Sequence, residues 1–255
     1  MIQKLINVLR LRDSIGIMMQ NALAAILYLI FLPNPTQYSI QFIIFLVFQS
    51  TLLSYGFVIN SYSDRLQDAI AGTDFGIGKF STAGIMAMIL LLGIAALSAG
   101  LLVNEKAAIV AVLALLLATF YSVRPLRLKE KGFAGALCSS LPQSALPFIF
   151  FVSATAFSGV APMIAAWLFL KHTRNEMHHQ LLGYAADKKS GINSLGVAWG
   201  KEKTSKIINI ISFIFMLSAV APFLLITPEG IFLGSALLYF SLPDIWHTLR
   251  NLKAN

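Results

Sequence analysis

The sequence predicts an all-α membrane protein: a helical bundle of about eight spanning helices, forming a single domain over residues 1–255. Three observations carry that prediction. Apolar side chains make up 57% of the chain and charged ones only 12%, with a mean hydropathy of +0.77, whereas a soluble domain carries about 25% charged residues. A chain of this length could not enclose that much apolar surface in a water-soluble core. Residues 14–60, 80–104, 107–123, 132–170, 207–228 and 230–243 contain no Asp, Glu, Lys or Arg, and a bilayer needs only ~20 apolar residues per spanning helix. Lipid then leaves an open chain no way other than helix to satisfy its backbone.

Taken in order, residues 1–13 are expected as an interfacial helix, with Ile2, Leu5, Ile6 and Leu9 on one side and Lys4 and Arg12 on the other. The apolar run that follows is longer than a signal-peptide core and more spans come after it. The expected spans are 14–32, 38–60, 82–103, 107–122, 134–155, 159–180, 205–226 and 230–247. Four short connections, at 33–37, 104–106, 156–158 and 227–229, hold one basic residue, Lys106; the other connections, the termini and the span ends beside them hold the remaining eighteen of nineteen Lys and Arg. By the positive-inside rule both termini face the cytoplasm, and an even span count agrees. The same asymmetry accounts for the net charge of +8. No basic cluster interleaved with aromatics lies outside the spans, which argues against a nucleic-acid partner. The single Cys138 sits in an apolar run and reads as a small buried hydrophobe.

Polar residues gather on the cytoplasmic side. Nine of the eleven acids lie there or at its edge, and only Glu105 and Glu229 face outward. The first cluster ends the second span: in VINSYSDRLQDAI, Asn60, Asp64 and Asp68 are spaced i, i+4, i+8 and share one stripe of a helix. An amide and two carboxylates are hard oxygen ligands of the kind that suit Mg²⁺, which keeps waters and takes substrate phosphates as its other ligands. A solvated helix end is the plainer reading, but carboxylates at membrane depth are costly and tend to be functional. The second cluster, FYSVRPLRLKEKG, holds Arg124, Arg127, Lys129 and Lys131 after a turn fixed by Pro125, with Tyr121 at the mouth of the expected cavity. Charge alone does not separate headgroup anchoring from a phosphate clamp. The third, RNEMHHQLLGYAADKKSGINS, carries Glu176, His179, Gln180, Gly183 and Asp187 at helical spacing, then a turn at Gly191 and Ser194. No third ligand stands at a familiar zinc spacing. Within the spans, Asn21, Gln49 and Ser54 read as cavity lining or interhelical bonds, Gln143 as part of a kink between Pro142 and Pro147, and Asp244 and His247 as side chains snorkelling to water.

In this order and at these span ends, the three segments resemble the UbiA superfamily of intramembrane prenyltransferases. Its first motif is matched by Asn60, Asp64 and Asp68. Its Tyr-Ser-x-x-Pro-Leu-Arg-Leu-Lys segment is matched by Tyr121, Ser122, Pro125, Leu126, Arg127, Leu128 and Lys129, in a form similar to the chlorophyll synthase and homogentisate prenyltransferase branches. Its second acidic motif aligns on Gly183, Asp187, Gly191 and Ser194. The resemblance implies a cavity open sideways to lipid and Mg²⁺ held by the acidic motifs, here Asp64, Asp68 and Asp187. It further implies a prenyl diphosphate donor whose ionisation gives an allylic cation captured by a lipophilic or aromatic acceptor. Asn60, Lys79, Arg127, Lys129, Glu176, His179 and Gln180 are then substrate-binding candidates, and Tyr121 joins the three aspartates as a catalytic one. This sequence departs from the pattern in four ways: Ser61 replaces an early Asp, Gly183 replaces the leading Asp of the second motif, Phe75 stands where a basic residue is usual, and eight spans are expected where the family commonly has nine. A terpene cyclase acting on the donor alone, or a catalytically degenerate membrane partner, are the alternatives these departures leave. A transporter fits poorly, because the acids lie at one face only.

Overall fold

The computed structural model describes residues 2–71, 76–225 and 227–253. Each expected span is a helix. They are α2 (Leu11–Leu29), α3 (Ser39–Ala71), α4 (Thr82–Val103), α5 (Glu105–Ser122), the α6–α7 pair (Phe133–Ser140 and Leu146–Ser153), α8 (Ala161–Leu182), α11 (Lys201–Val220) and α12 (Pro228–Lys253). Between them lie α1 (Ile2–Val8), α9 (Tyr184–Ser190) and α10 (Leu195–Trp199). Among the described residues five stretches are long and apolar enough to cross a membrane by composition: 35–69, 82–103, 105–122, 133–153 and 201–225. The helices at 11–29 and 161–182 fall outside that set because polar side chains interrupt their apolar faces; Asp13, Gln20, His172, Asn175 and Glu176 among these line the cavity described below.

Local chemistry sets the joints. The expected interfacial helix stops at Val8, and Arg10 takes a left-handed backbone (φ 49°) before α2 begins at Leu11, so Arg12 and Asp13 belong to the first spanning helix. Asn104 closes the α4–α5 hairpin: its Oδ1 accepts from the Ala107 N–H at 2.8 Å, and its Nδ2 donates to the Ser153 carbonyl at 2.7 Å. The hairpin is close because Gly100 has no side chain; a Cβ there would lie 2.8 Å from the Ala108 Cα. Between α6 and α7 the chain runs through a π-turn, Leu141–Ala145, so the two helices form one bent span.

The core fills the half of the bundle away from the charged loops. Phe48 and Phe150 stack with centroids 4.0 Å apart, Phe45 and Phe151 lie against them, and Tyr28 sits edge-on to Phe148. Tyr28 OH donates to the Ala156 carbonyl at 2.7 Å and accepts from the Ser158 N–H at 2.9 Å, tying α2 to the α7–α8 connection. Two of the expected polar positions serve helix packing: Asn21 Nδ2 donates to the Gln143 carbonyl at 2.8 Å, and Gln49 Nε2 reaches the Met18 carbonyl at 3.4 Å. Asp244 does not snorkel. Its carboxylate bridges Lys171 Nζ and Arg174 Nη1, each at 3.0 Å, and pins α12 to α8. The side chain of His247 and all of Phe75 lie outside the described residues.

Candidate active site

Toward the C-terminal end of α3, Asn60 and Asp64 stand one turn apart and face the loop after α5. Arg127 Nη2 donates to Asp64 Oδ1 at 2.9 Å, and Lys129 Nζ forms a close ion pair with Asp64 Oδ2. Lys129 Nζ also donates to Asn60 Oδ1 at 3.1 Å, as Ser122 Oγ does at 2.9 Å. The three charged side chains are only 7–9% exposed, so this is a buried ion cluster rather than a surface pair. Arg127 is held from behind by Glu130, 2.5 Å from its Nε. Its backbone is left-handed (φ 37°), a conformation that non-glycine residues adopt at an energetic cost and that concentrates at functional sites. The four basic residues of this segment thus divide: Arg124 and Lys131 are exposed, as headgroup anchoring requires, while Arg127 and Lys129 turn inward to the aspartate. Burial lowers the Lys129 ammonium pKa from its usual value, against the upward pull of Asp64 and Asp68. Asp68 lies half-buried one turn beyond Asp64.

The second acidic segment closes over α3 from the other side, with α9 packed on that helix. The Gly183 amide donates to the His179 carbonyl and the Asp187 amide to the Gly183 carbonyl, each at 2.9 Å, so the stripe His179, Gly183, Asp187 survives the junction of α8 with α9. Asp187 is half-buried, and burial raises its carboxyl above the usual range, while His179 and Lys129 pull it down and Asp64 adds to the rise. A Cβ at Gly183 would meet Asp187 Oδ2 at 3.4 Å. Gly191 (φ 70°) ends α9, where the sequence placed a turn.

Glu176 joins the two halves. Its Oε1 accepts from Tyr121 OH at 3.0 Å and from Gln180 Nε2 at 2.8 Å. Gln180 in turn accepts from the Leu195 N–H at 3.1 Å, which makes it a brace between α8 and the start of α10. Lys79 stands apart: it is exposed on the short 3₁₀ turn Ile77–Lys79 and joins neither the Asp64 cluster nor the cavity wall.

Beside these groups lies a cavity of about 580 Å³, lined by Asn60, Tyr121, Glu176 and His179 toward the charged end and floored by Leu52 and Leu53. The sequence did not single out Arg10, Asp13, Gln20, His172 or Asn175, which also line it. A signal was present: His172, Glu176 and His179, like Asp13 and Gln20 with Ile17, stand at i, i+4, i+7, one face of a helix.

Among the described residues, no three His, Cys, Asp or Glu side chains converge as a metal cage. The donors suit a hard cation bound by one or two carboxylates and completed by water and substrate oxygens, the usual habit of Mg²⁺. Asp64, Asp68 and Asp187 fit that role in kind, with Asp64 spoken for by two cations in the ligand-free chain.

The model of the UbiA prenyltransferase family matches residues 21–254. The chain belongs to that family. Membership carries a general class, a membrane-embedded transferase enzyme. A solved UbiA homologue from Archaeoglobus fulgidus bound to GPP and Mg²⁺ superimposes with a TM-score of 0.79 at 18% identity, covering 96% of this chain and 86% of that one. The same homologue bound to DMAPP and Mg²⁺ gives 0.79 at 18%, over 95% and 86%. These likenesses establish the UbiA helical membrane fold. A digeranylgeranylglyceryl phosphate synthase from Thermococcus sibiricus is 29% identical over 183 residues, 71% of this chain. The match spans 63% of that relative's length.

Proposed function

We propose that this protein transfers an isoprenyl group from a prenyl diphosphate to a lipophilic or aromatic acceptor inside the membrane, with Mg²⁺ required. The observation that carries the proposal is the buried Asp64–Arg127–Lys129 cluster beside a cavity with an aliphatic floor. A charge-poor bundle has no packing reason to bury three ionised groups there, since replacing such a set by apolar residues is often neutral or stabilising. The solved relatives bound to GPP or DMAPP with Mg²⁺ support the donor class.

In this proposal Asp64 and Asp68, with Asp187 opposite, hold Mg²⁺, which when bound supplies Lewis-acid stabilisation of the departing diphosphate. Asn60 orients the diphosphate. Arg127 and Lys129 turn from Asp64 to its oxygens, where charge develops as the C–O bond breaks. The prenyl chain lies along the apolar wall, each CH₂ contributing ~0.8 kcal/mol on burial. Tyr121, fixed by Glu176, bounds the mouth of the cavity and helps to keep water from the allylic cation. Eighteen of nineteen Lys and Arg on one side support a cytoplasmic site and cytoplasmic termini in the cytoplasmic membrane.

The polar wall of the cavity favours a separate acceptor over a cyclase, for which those groups have no use. The test is diphosphate release by purified protein with Mg²⁺ and geranyl, farnesyl or geranylgeranyl diphosphate, with and without a membrane lipid extract. Release that needs both Mg²⁺ and extract is expected. Release without extract points to cyclisation, and absence of both release and donor binding points to a degenerate partner protein.

A further inference from the structure

The cavity wall holds three polar groups that the donor chemistry does not use. Gln20 Nε2 on α2 and His172 Nε2 on α8 are buried and have no hydrogen-bond partner among the described residues, and His172 as a whole is only 7% exposed. The third is Asn175, whose Oδ1 accepts from Arg174 Nη1 at 2.9 Å; this fixes which end of the amide remains, a pair of N–H donors. Buried polar atoms without partners are uncommon, because desolvating them goes uncompensated, so Gln20 and His172 each call for an occupant, the imidazole as donor or acceptor according to its tautomer. All three line the same cavity from two helices.

The charges of that wall narrow the occupant. Among the described lining residues the charged ones are Arg10, Asp13 and Glu176. Arg10 is paired with Asp13 at 2.6 Å, and its guanidinium lies 4.6 Å above the Phe57 ring. The inward-turned cations Arg127 and Lys129 are not part of the wall; they face Asp64. An anionic head in this cavity would find its one cation already engaged and would meet the Glu176 carboxylate. An uncharged oxygen would meet donors. Both hydrogen bonds that Glu176 accepts fall on Oε1, leaving Oε2 for a hydroxyl proton.

We infer that the cavity binds an acceptor whose head is an uncharged, hydroxyl-bearing group on an apolar body, and that Glu176 takes the hydroxyl proton during transfer. The inference rests on the prenyltransferase reading above. The bond between the donor's C1 and its diphosphate oxygen breaks, with the electron pair leaving on diphosphate. A lone pair of the acceptor oxygen forms the new C–O bond to C1, and the acceptor's proton passes to Glu176 Oε2. The product is a prenyl ether, and no oxidant or reductant is needed. Tyr121 and Gln180 hold the carboxylate for this step, the amide donors of Gln20 and Asn175 fix the acceptor's other oxygens, and His172 Nε2 bonds a hydroxyl in either tautomer.

The test uses the full chain in lipid nanodiscs with Mg²⁺ and geranylgeranyl diphosphate. Acceptors share one apolar body and differ in the head: a primary alcohol, a phenol, the matching phosphate monoester and the matching carboxylate. A membrane lipid extract is run in parallel and its product read by mass. The expected result is ether formation on the alcohol or phenol at least ~10-fold faster than on either anion. Glu176→Gln is expected to lower kcat by about 100-fold, within the range for general-base catalysis, with the KM for the donor within twofold of the parent. Preference for the phosphate or carboxylate head, or a product from the extract that carries either, overturns the inference while leaving prenyl transfer intact. So does an unchanged kcat in Glu176→Gln, or a donor KM that rises in step with its fall. Failure of donor turnover under every condition removes the prenyltransferase reading and the inference with it. A second variant guards against misfolding: Gln20→Leu, which keeps the size of the side chain, is expected to raise the acceptor KM and spare the donor KM. No change in the acceptor KM counts against the cavity assignment.

Discussion

The two halves of the proposed diphosphate site are built unequally. On the α3 side, Asp64 meets two buried cations and Asn60 Oδ1 shares one of them, so both carboxylate oxygens and the amide oxygen of that corner are engaged. On the α8–α9 side, Asp187 is the one carboxylate of its stripe, Gly183 stands a turn before it, and the other acid of that segment, Glu176, is engaged with Tyr121 and Gln180. The first half is an organised anion clamp; the second is thin. A chain that keeps one half complete and lets the other lapse can still grip a diphosphate firmly, while depending more on the metal concentration around it.

The largest effect that would break this comparison is at Asp64. Asp64→Ala should leave the buried Lys129 without its counter-charge and Arg127 with Glu130 alone, costing about 3–5 kcal/mol of stability and lowering turnover more than ~100-fold; a melting curve with a diphosphate-release assay reads both. Next comes the clamp itself. Arg127→Gln and Lys129→Met should each reduce kcat by roughly 10²–10³-fold, the cost of removing one positioned donor to a developing oxyanion. An equal loss from Arg124→Gln, whose side chain is exposed, would mean that the segment acts through bulk charge instead. A smaller effect is expected at the thin half: Gly183→Asp places a second carboxylate against Asp187 and should lower the Mg²⁺ concentration for half-maximal rate by about tenfold, or ~1.4 kcal/mol. A higher Mg²⁺ requirement would show that the glycine is needed for space. The smallest is Lys79→Gln, expected to change kcat/KM by less than ~2-fold because an exposed charge outside the cluster contributes little.

Much of this was legible in the chain. The helix positions followed from charge-free runs, since a bilayer penalises every ionised group and so prints the span boundaries into the sequence. Asn60, Asp64, Arg127 and Lys129 were legible as polar groups at span ends, and their spacing put the first two on one stripe. Which cations turn inward was not, because Arg124, Arg127, Lys129 and Lys131 are chemically alike, and only the left-handed Arg127 and the turn after it decide the matter. Lys79 shows the same limit from the other side: its place in the sequence suggested a clamp, and its place in the fold is an exposed turn. Gln180 read as a ligand and is a brace, for both of its ends find local partners that sequence spacing reveals only in part. Gln20, His172 and Asn175 were hidden because a lone polar residue in an apolar helix looks the same whether it bonds a neighbouring helix, as Asn21 does, or waits for a substrate.

The π-turn at Leu141–Ala145 constrains how such a cavity can change over evolutionary time. Ser139, Ser140, Pro142 and Gln143 line the cavity at or just before this turn, while Phe148, Phe150 and Phe151 beyond it are locked into the core. A π-turn carries one residue more than an α-turn, so losing a single codon there would let the helix close to regular pitch. Everything before the turn in this span would then rotate by about 100° against the locked phenylalanines. Insertions and deletions in this span are thus coupled to a wholesale re-facing of the wall, and descendants that shift acceptor are expected to do so by exchanging side chains at constant length.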